Sequence, residues 1–233
     1  MTSIYMLDDI HAGDTRRYAG GQWVNHTQSR CPGCGMWLPE TEPKEIQIAL
    51  NHLGRDGFVE YLWNSHTFPI FRDDLIQLWQ RAGLSGFAVK PVRIVGWYDQ
   101  PKKPLPADIP VYHRLVLTSQ VRLSEPPPVD EGCDACGWVQ YAFPKLSVRL
   151  ENGMKVDERT WDGADFFGLC GYEFVFCTRR AAQVTLEAGY NRHIAFVHQE
   201  DYDRWEEFRP DAWEHKAYRK YVETFLIRDP ARL

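Results

Sequence analysis

Four cysteines in two short pairs carry the clearest chemistry of this 233-residue chain. Cys31-Pro32-Gly33-Cys34-Gly35 and Cys133-Asp134-Ala135-Cys136-Gly137 are each CxxC followed at once by glycine, the form of a zinc knuckle. Two thiolates three residues apart grip a metal ion from a tight turn, and the glycine gives the backbone freedom to aim amide N–H groups back at the first sulfur. One knuckle supplies half of a tetrahedral site. Cys31, Cys34, Cys133 and Cys136 therefore read as one four-cysteine site for Zn2+. Such a site is closed, leaving no coordination position for water or substrate, so the metal is expected to be structural. The alternatives are two disulfides or four free thiols. Ordinary ribbons place their pairs roughly 15–20 residues apart. Here about a hundred residues intervene, and that segment must fold and return to the same place. A thioredoxin-like role wants CxxC opening a helix, and Gly35-Met36-Trp37-Leu38-Pro39 is a poor helix opening.

The elements that position these sulfurs come from a chain that is 44% hydrophobic and 25% charged. Nine tryptophans, eleven tyrosines and twelve phenylalanines supply large side chains for burial. This suits one large or two small domains. No apolar run approaches the roughly 20 residues that span a bilayer. The first residues lack a basic stretch followed by an apolar core, so no export signal and a cytoplasmic location are expected. Six cysteines in a reducing compartment favour metal over disulfides. The net charge is −5. Residues 131–200 carry ten acids against seven Lys and Arg, with Glu151, Asp157, Glu158, Asp162 and Asp165 close together. That stretch reads as a solvated hairpin and loop, or as a surface for a basic partner.

A repeat runs beneath the knuckles. Arg72, Asp73 and Asp74 open a helix whose apolar face is Leu75, Ile76, Leu78 and Trp79. Gly83 stops it, and Phe87, Val89, Val92 and Ile94 form a strand. The second half repeats this order: Thr178 caps a helix, Ala188-Gly189 ends it, and a strand runs to Val197. The knuckles and the Ala-Gly stops recur at nearly the same offset, which points to a diverged duplication. Elsewhere, Ile4–Leu7 and 110–123 read as strands, and Asn152-Gly153 as a hairpin turn. Proline-rich connections occupy 101–110 and 125–129, and residues 201–228 read as a helical tail. The expected class is α/β in the broad sense, more narrowly α+β. It has two pseudo-repeated lobes of mixed strands and short helices, residues 1–130 and 131–233, joined by the four-cysteine zinc site or merged into one compact domain.

The paired CxxCG signature resembles the double-CxxCG motif proteins, a family of myxobacterial paralogues. The similarity extends to the segments ending Ala82-Gly83-Leu84-Ser85-Gly86-Phe87 and Ala188-Gly189-Tyr190-Asn191-Arg192-His193-Ile194. Some members are immunity proteins encoded beside lipoprotein toxins that swarming cells pass to neighbours. The resemblance implies a cytoplasmic immunity protein that binds and neutralises a cognate toxin, with no membrane partner. The alternative is a zinc-ribbon-type nucleic-acid-binding or regulatory protein, against which the acidic balance and the lack of a basic patch count. No enzyme is expected. The chain has no GxxxxGKS/T loop and no HExxH, and Gly83-Leu84-Ser85-Gly86 is not GxSxG. His198-Gln199-Glu200 has the HxE form of zinc deaminases, but both CxxC pairs lie upstream of it. Cys170 and Cys177, in aromatic and apolar surroundings, read as small buried thiols. His11, His26, His52, His66 and His113 have no partner evident in sequence.

Overall fold

The computed structural model describes residues 3–9, 19–25, 31–33, 44–64, 69–122, 124, 129–135, 138–141, 156–169, 175–199, 201 and 224–233. Its elements, in chain order, are β1 (Ile4–Asp9), β2 (Gly20–Trp23), β3 (Ile46–His52), β4 (Trp63–Asn64), β5 (Ile70–Arg72), α1 (Asp73–Arg81), β6 (Phe87–Trp97) and β7 (Tyr112–Leu117). They continue as β8 (Gln120–Val121), β9 (Val129–Cys133), β10 (Trp138–Tyr141), β11 (Phe166–Leu169), β12 (Val175–Thr178), α2 (Arg179–Glu187) and β13 (Ile194–His198). Mixed sheets with two short helices make the class α+β.

One sheet has the order β4-β2-β3-β6-β7-β5 and a second the order β13-β1-β12-β11-β8. The ribbon β9–β10 stands apart from both. Each large sheet holds the same motif. In the first, β5-α1-β6 is a strand–helix–strand unit whose two strands are separated by β7, antiparallel to both. In the second, β12-α2-β13 is separated by β1, again antiparallel to both. β1 suits a central slot because it is apolar on both faces. Ile4 and Met6 pack into a cluster with Val121, Phe167, Leu169 and Phe176, while Tyr5 joins the larger core on the helix side. The sheets therefore do not divide at residue 130: β1 and β8, from the first part of the chain, complete the second sheet. The run 110–123 breaks into β7 and β8 at Thr118-Ser119. There the chain passes from one sheet to the other, with the buried Ser119 hydroxyl donating to Asp162 Oδ1 at 2.7 Å.

The two helices end alike. Gly83 and Gly189 take φ of 65° and 87°, the left-handed region that favours glycine. Leu84 N–H donates to Trp79 O at 3.0 Å and Tyr190 N–H to Thr185 O at 3.2 Å, the long bond of a Schellman stop at matching positions. Thr178 Oγ1 accepts from Ala181 N–H at 3.4 Å, as its type predicts. Arg72, by contrast, gives α1 no side-chain cap, and Asp73 and Asp74 in the first turn complement the helix dipole instead.

α1 and α2 pack antiparallel about a local pseudo-dyad. Trp79 Nε1–H donates to Thr185 Oγ1 at 2.8 Å, across 106 residues, which is the offset between the two Ala-Gly stops. Equivalent positions meet only near such an axis. On either side, Arg180 Nη2 donates to Ala82 O at 2.6 Å, at the end of α1, and Tyr190 Oη donates to Asp74 Oδ2 at 2.9 Å, at its start. Trp79 is fully buried and touches the rings of Phe71, Phe87 and Phe166, with centroids 5.2, 6.0 and 4.6 Å away. The largest core cluster thus draws side chains from both halves of the chain.

Candidate metal centre

The first knuckle lies in the connection between β2 and β3, and the second closes the ribbon at the end of β9, where Cys133 pairs with Trp138. The structure brings their leading cysteines together. Cys31 Sγ and Cys133 Sγ lie 3.8 Å apart across 102 residues of chain. No disulfide joins them; Cys31 is buried at 2% exposure and Cys133 is partly exposed. Gly33 N–H donates to Cys31 Sγ at 3.3 Å, the amide-to-sulfur bond that a knuckle makes.

Gly33 has a second role that the spacing did not reveal. A Cβ built on it would lie 3.1 Å from Ala135 Cβ, 3.3 Å from Cys133 Sγ and 3.6 Å from Cys31 Sγ. The middle residues of the two knuckles are therefore packed against each other, and a side chain at 33 would press on the sulfurs. The signal was a glycine inside the CxxC itself, opposite the small Ala135.

The sulfur separation is that of two thiols in contact and is also compatible with a shared metal, but not with a disulfide. A tetrahedral ion with Zn–S of about 2.3 Å holds neighbouring sulfurs about 3.8 Å apart, whereas a disulfide requires about 2.05 Å. Cys34 and Cys136 lie outside the described residues, as do Cys170, the Asn152-Gly153 turn, His11, His26, His66 and most of the 201–228 tail. Among the described residues no group of three or more His, Cys, Asp and Glu side chains is placed to hold a metal ion. Cys31 and Cys133 thus meet as a pair of thiols from the two knuckles.

Two other polar clusters tie distant segments together. His193, 4% exposed, has Nδ1 2.6 Å from Glu60 Oε2 and Nε2 3.6 Å from Asp56 Oδ2, with Arg192 Nη2 3.6 Å from Asp56 Oδ1. Burial pushes the Glu60 carboxyl up, but the hydrogen bond with His193, aided by the charges of His193 and Arg72, outweighs it and holds Glu60 below its ordinary range. Each ring nitrogen faces a carboxylate, so the ring is held between Asp56 and Glu60. Sequence reasoning missed it because the partners are 133 residues apart.

The second cluster corrects the reading of Asp165 as part of an acidic surface. Asp165 is 6% exposed. Its carboxylate accepts from Ser85 N–H at 3.1 Å, Thr178 Oγ1 at 3.0 Å and Arg180 Nη1 at 3.0 Å. It is spent on holding the turn after α1 to the start of α2. Asp162 stays exposed but is engaged by Ser119 and by Ala164 N–H at 3.1 Å. Cys177 is fully buried in the shared core, as its surroundings predict, and His113 finds a partner in Asp73, with Nε2 2.8 Å from Oδ1. No helix among the described residues is long and apolar enough to cross a membrane. In comparisons with known proteins, no family model and no curated sequence matches the chain.

Proposed function

We propose that Cys31, Cys34, Cys133 and Cys136 hold one structural Zn2+, and that the chain acts by binding, as an immunity protein that neutralises a cognate toxin in the cytoplasm. The observation that carries the metal half is the 3.8 Å separation of Cys31 and Cys133 sulfurs from distant knuckles. Thiolates in that geometry suit Zn2+, and a four-sulfur shell leaves it no open position for chemistry. The metal would pin the β2–β3 connection to the ribbon, and its contribution to folding follows from binding the folded chain alone.

The binding half rests on the resemblance of the paired CxxCG signature. A rigid, cross-linked body offers a preformed surface, which lowers the entropic cost of association. Two measurements test the reading separately. Elemental analysis of the purified chain should return one zinc per molecule, and none after Cys133→Ser. Co-expression with the toxin gene adjacent to it should restore growth, while a paralogue's toxin still kills. Salt-sensitive retardation of DNA or RNA by the purified chain, with no rescue, would replace the immunity role by nucleic-acid binding.

A further inference from the structure

The meeting of Cys31 and Cys133 has a chemical consequence beyond metal binding. Their sulfurs are 3.8 Å apart and no disulfide joins them. A disulfide of about 2.05 Å needs each sulfur to swing inward by only about 1 Å. The two are also unequally accessible. Cys133 is partly exposed, whereas Cys31 is buried and receives the Gly33 amide. That is the arrangement of an outer thiol that meets an oxidant and an inner thiol that resolves it.

We propose that Cys31 and Cys133 are a peroxide-sensitive pair whose oxidation joins the two knuckles by a disulfide and withdraws both sulfurs from the metal. The Cys133 thiolate attacks one oxygen of hydrogen peroxide, the O–O bond breaks, and Cys133 sulfenic acid and hydroxide form. The Cys31 thiolate then attacks the sulfenic sulfur, the S–S bond forms, and the second hydroxide leaves. Two electrons pass from the two sulfurs to one peroxide, and two protons from solvent complete two waters. The bridge closes a loop across the 102 residues that separate the cysteines. It thus keeps in place the contact that the metal held. Cys177 is an internal control: it is fully buried, and burial together with the Asp165 charge pushes its thiol far up, so it stays protonated and inert. The bridge rests on the geometry of the sulfur pair, and the release of metal rests on the four-cysteine reading proposed above.

The experiment treats the full chain with stoichiometric hydrogen peroxide, follows zinc with a metallochromic indicator, and maps disulfides after alkylation and digestion without reductant. The expected product is a Cys31–Cys133 linked peptide that accounts for most of the oxidised Cys133, with Cys177 fully alkylated after unfolding. One zinc is released per bridge. In a Cys34→Ser/Cys136→Ser double variant the same link should form, and in Cys31→Ser the link should vanish while dimedone traps sulfenic acid on Cys133. Bridges confined to Cys31–Cys34 and Cys133–Cys136, or sulfinic acid on an unpaired Cys133, would overturn the proposal. The bridge without zinc would support the peroxide-sensitive pair and sink the metal reading and its release step. The wild-type map decides the matter even where a variant does not fold.

Discussion

The first sheet fills the slot between β5 and β6 with β7, the strand that comes next in the chain, whereas the second fills the slot between β12 and β13 with β1, from its opposite end. The units are otherwise alike in their Ala-Gly stops, Schellman bonds and packed helices. The local unit draws its three strands from neighbouring segments. The other depends on a strand delivered from more than a hundred residues away. A duplicated motif can thus keep its geometry while changing the origin of its parts, because a sheet slot is defined by hydrogen bonding and side-chain alternation and not by chain order.

Removing residues 1–9 is the strongest way to break this comparison. The second sheet then loses a central strand carrying Ile4, Tyr5 and Met6, all buried. Amide exchange in β12 and β13 should rise by orders of magnitude, with β6 and β7 affected less. Equal protection of the two sheets in the truncated chain would show that β1 is not what completes the second unit.

The pseudo-dyad is sharpened by its central pair. Trp79→Ala is expected to cost about 3–5 kcal/mol, as for other large-to-small changes in a core. Thr185→Val leaves the indole N–H buried without its acceptor and is expected to cost about 1–3 kcal/mol. Denaturant midpoints of the single and double variants form a cycle, and a coupling indistinguishable from zero would mean that the two helices do not meet as equivalents.

The His193 clamp joins the β3–β4 connection to the start of β13 and has no counterpart in the first unit, where Phe87 occupies the matching position. Glu60 has a depressed carboxyl in the folded state, so its contribution is present above its ordinary value of 4.5 and lost as pH falls through the lower folded value. Stability should therefore decline on the acid side below about pH 4.5. Glu60→Gln should flatten that limb in urea titrations compared at pH 6 and pH 3. An unchanged slope would remove Glu60 from the clamp.

The smallest expected effect compares the two stops directly. Gly83→Ala and Gly189→Ala each force a side chain into the left-handed region, at about 1–2 kcal/mol. Among the described residues neither meets a steric clash: the atom near a Cβ at 83 is Arg180 Nη2 at 3.8 Å, and none lies within 4 Å at 189. Thermal midpoints of the two variants should agree closely, and a large inequality would mark one stop as bearing a load that the other does not.

Local chemistry is why the helices, their stops and the strands after them were legible in the chain. As first-turn acids, cap and stops, Asp73, Asp74, Thr178, Gly83 and Gly189 shape the backbone within a few residues of their own position, whatever distant partners they also meet. Coordination number, which asks for four sulfurs where each motif offers two, led to the expectation that the knuckles meet, and Cys31 and Cys133 do meet. What escaped were contacts that no local pattern encodes. The placement of β1 required knowing that two distant strands leave a gap. Asp165 looked like one acid among several, and only folding surrounds it with Ser85, Thr178 and Arg180. His193 likewise gains its meaning from Asp56 and Glu60.

The position of β1 also bears on how the chain is made. Ile4 is synthesised about 170 residues before Thr178, its partner in the sheet. At about 5–20 residues per second, the strand waits roughly ten to thirty seconds on the ribosome before its neighbours exist. Through that interval the apolar run Ile4–Leu7 keeps both strand edges unpaired and open to other nascent chains nearby.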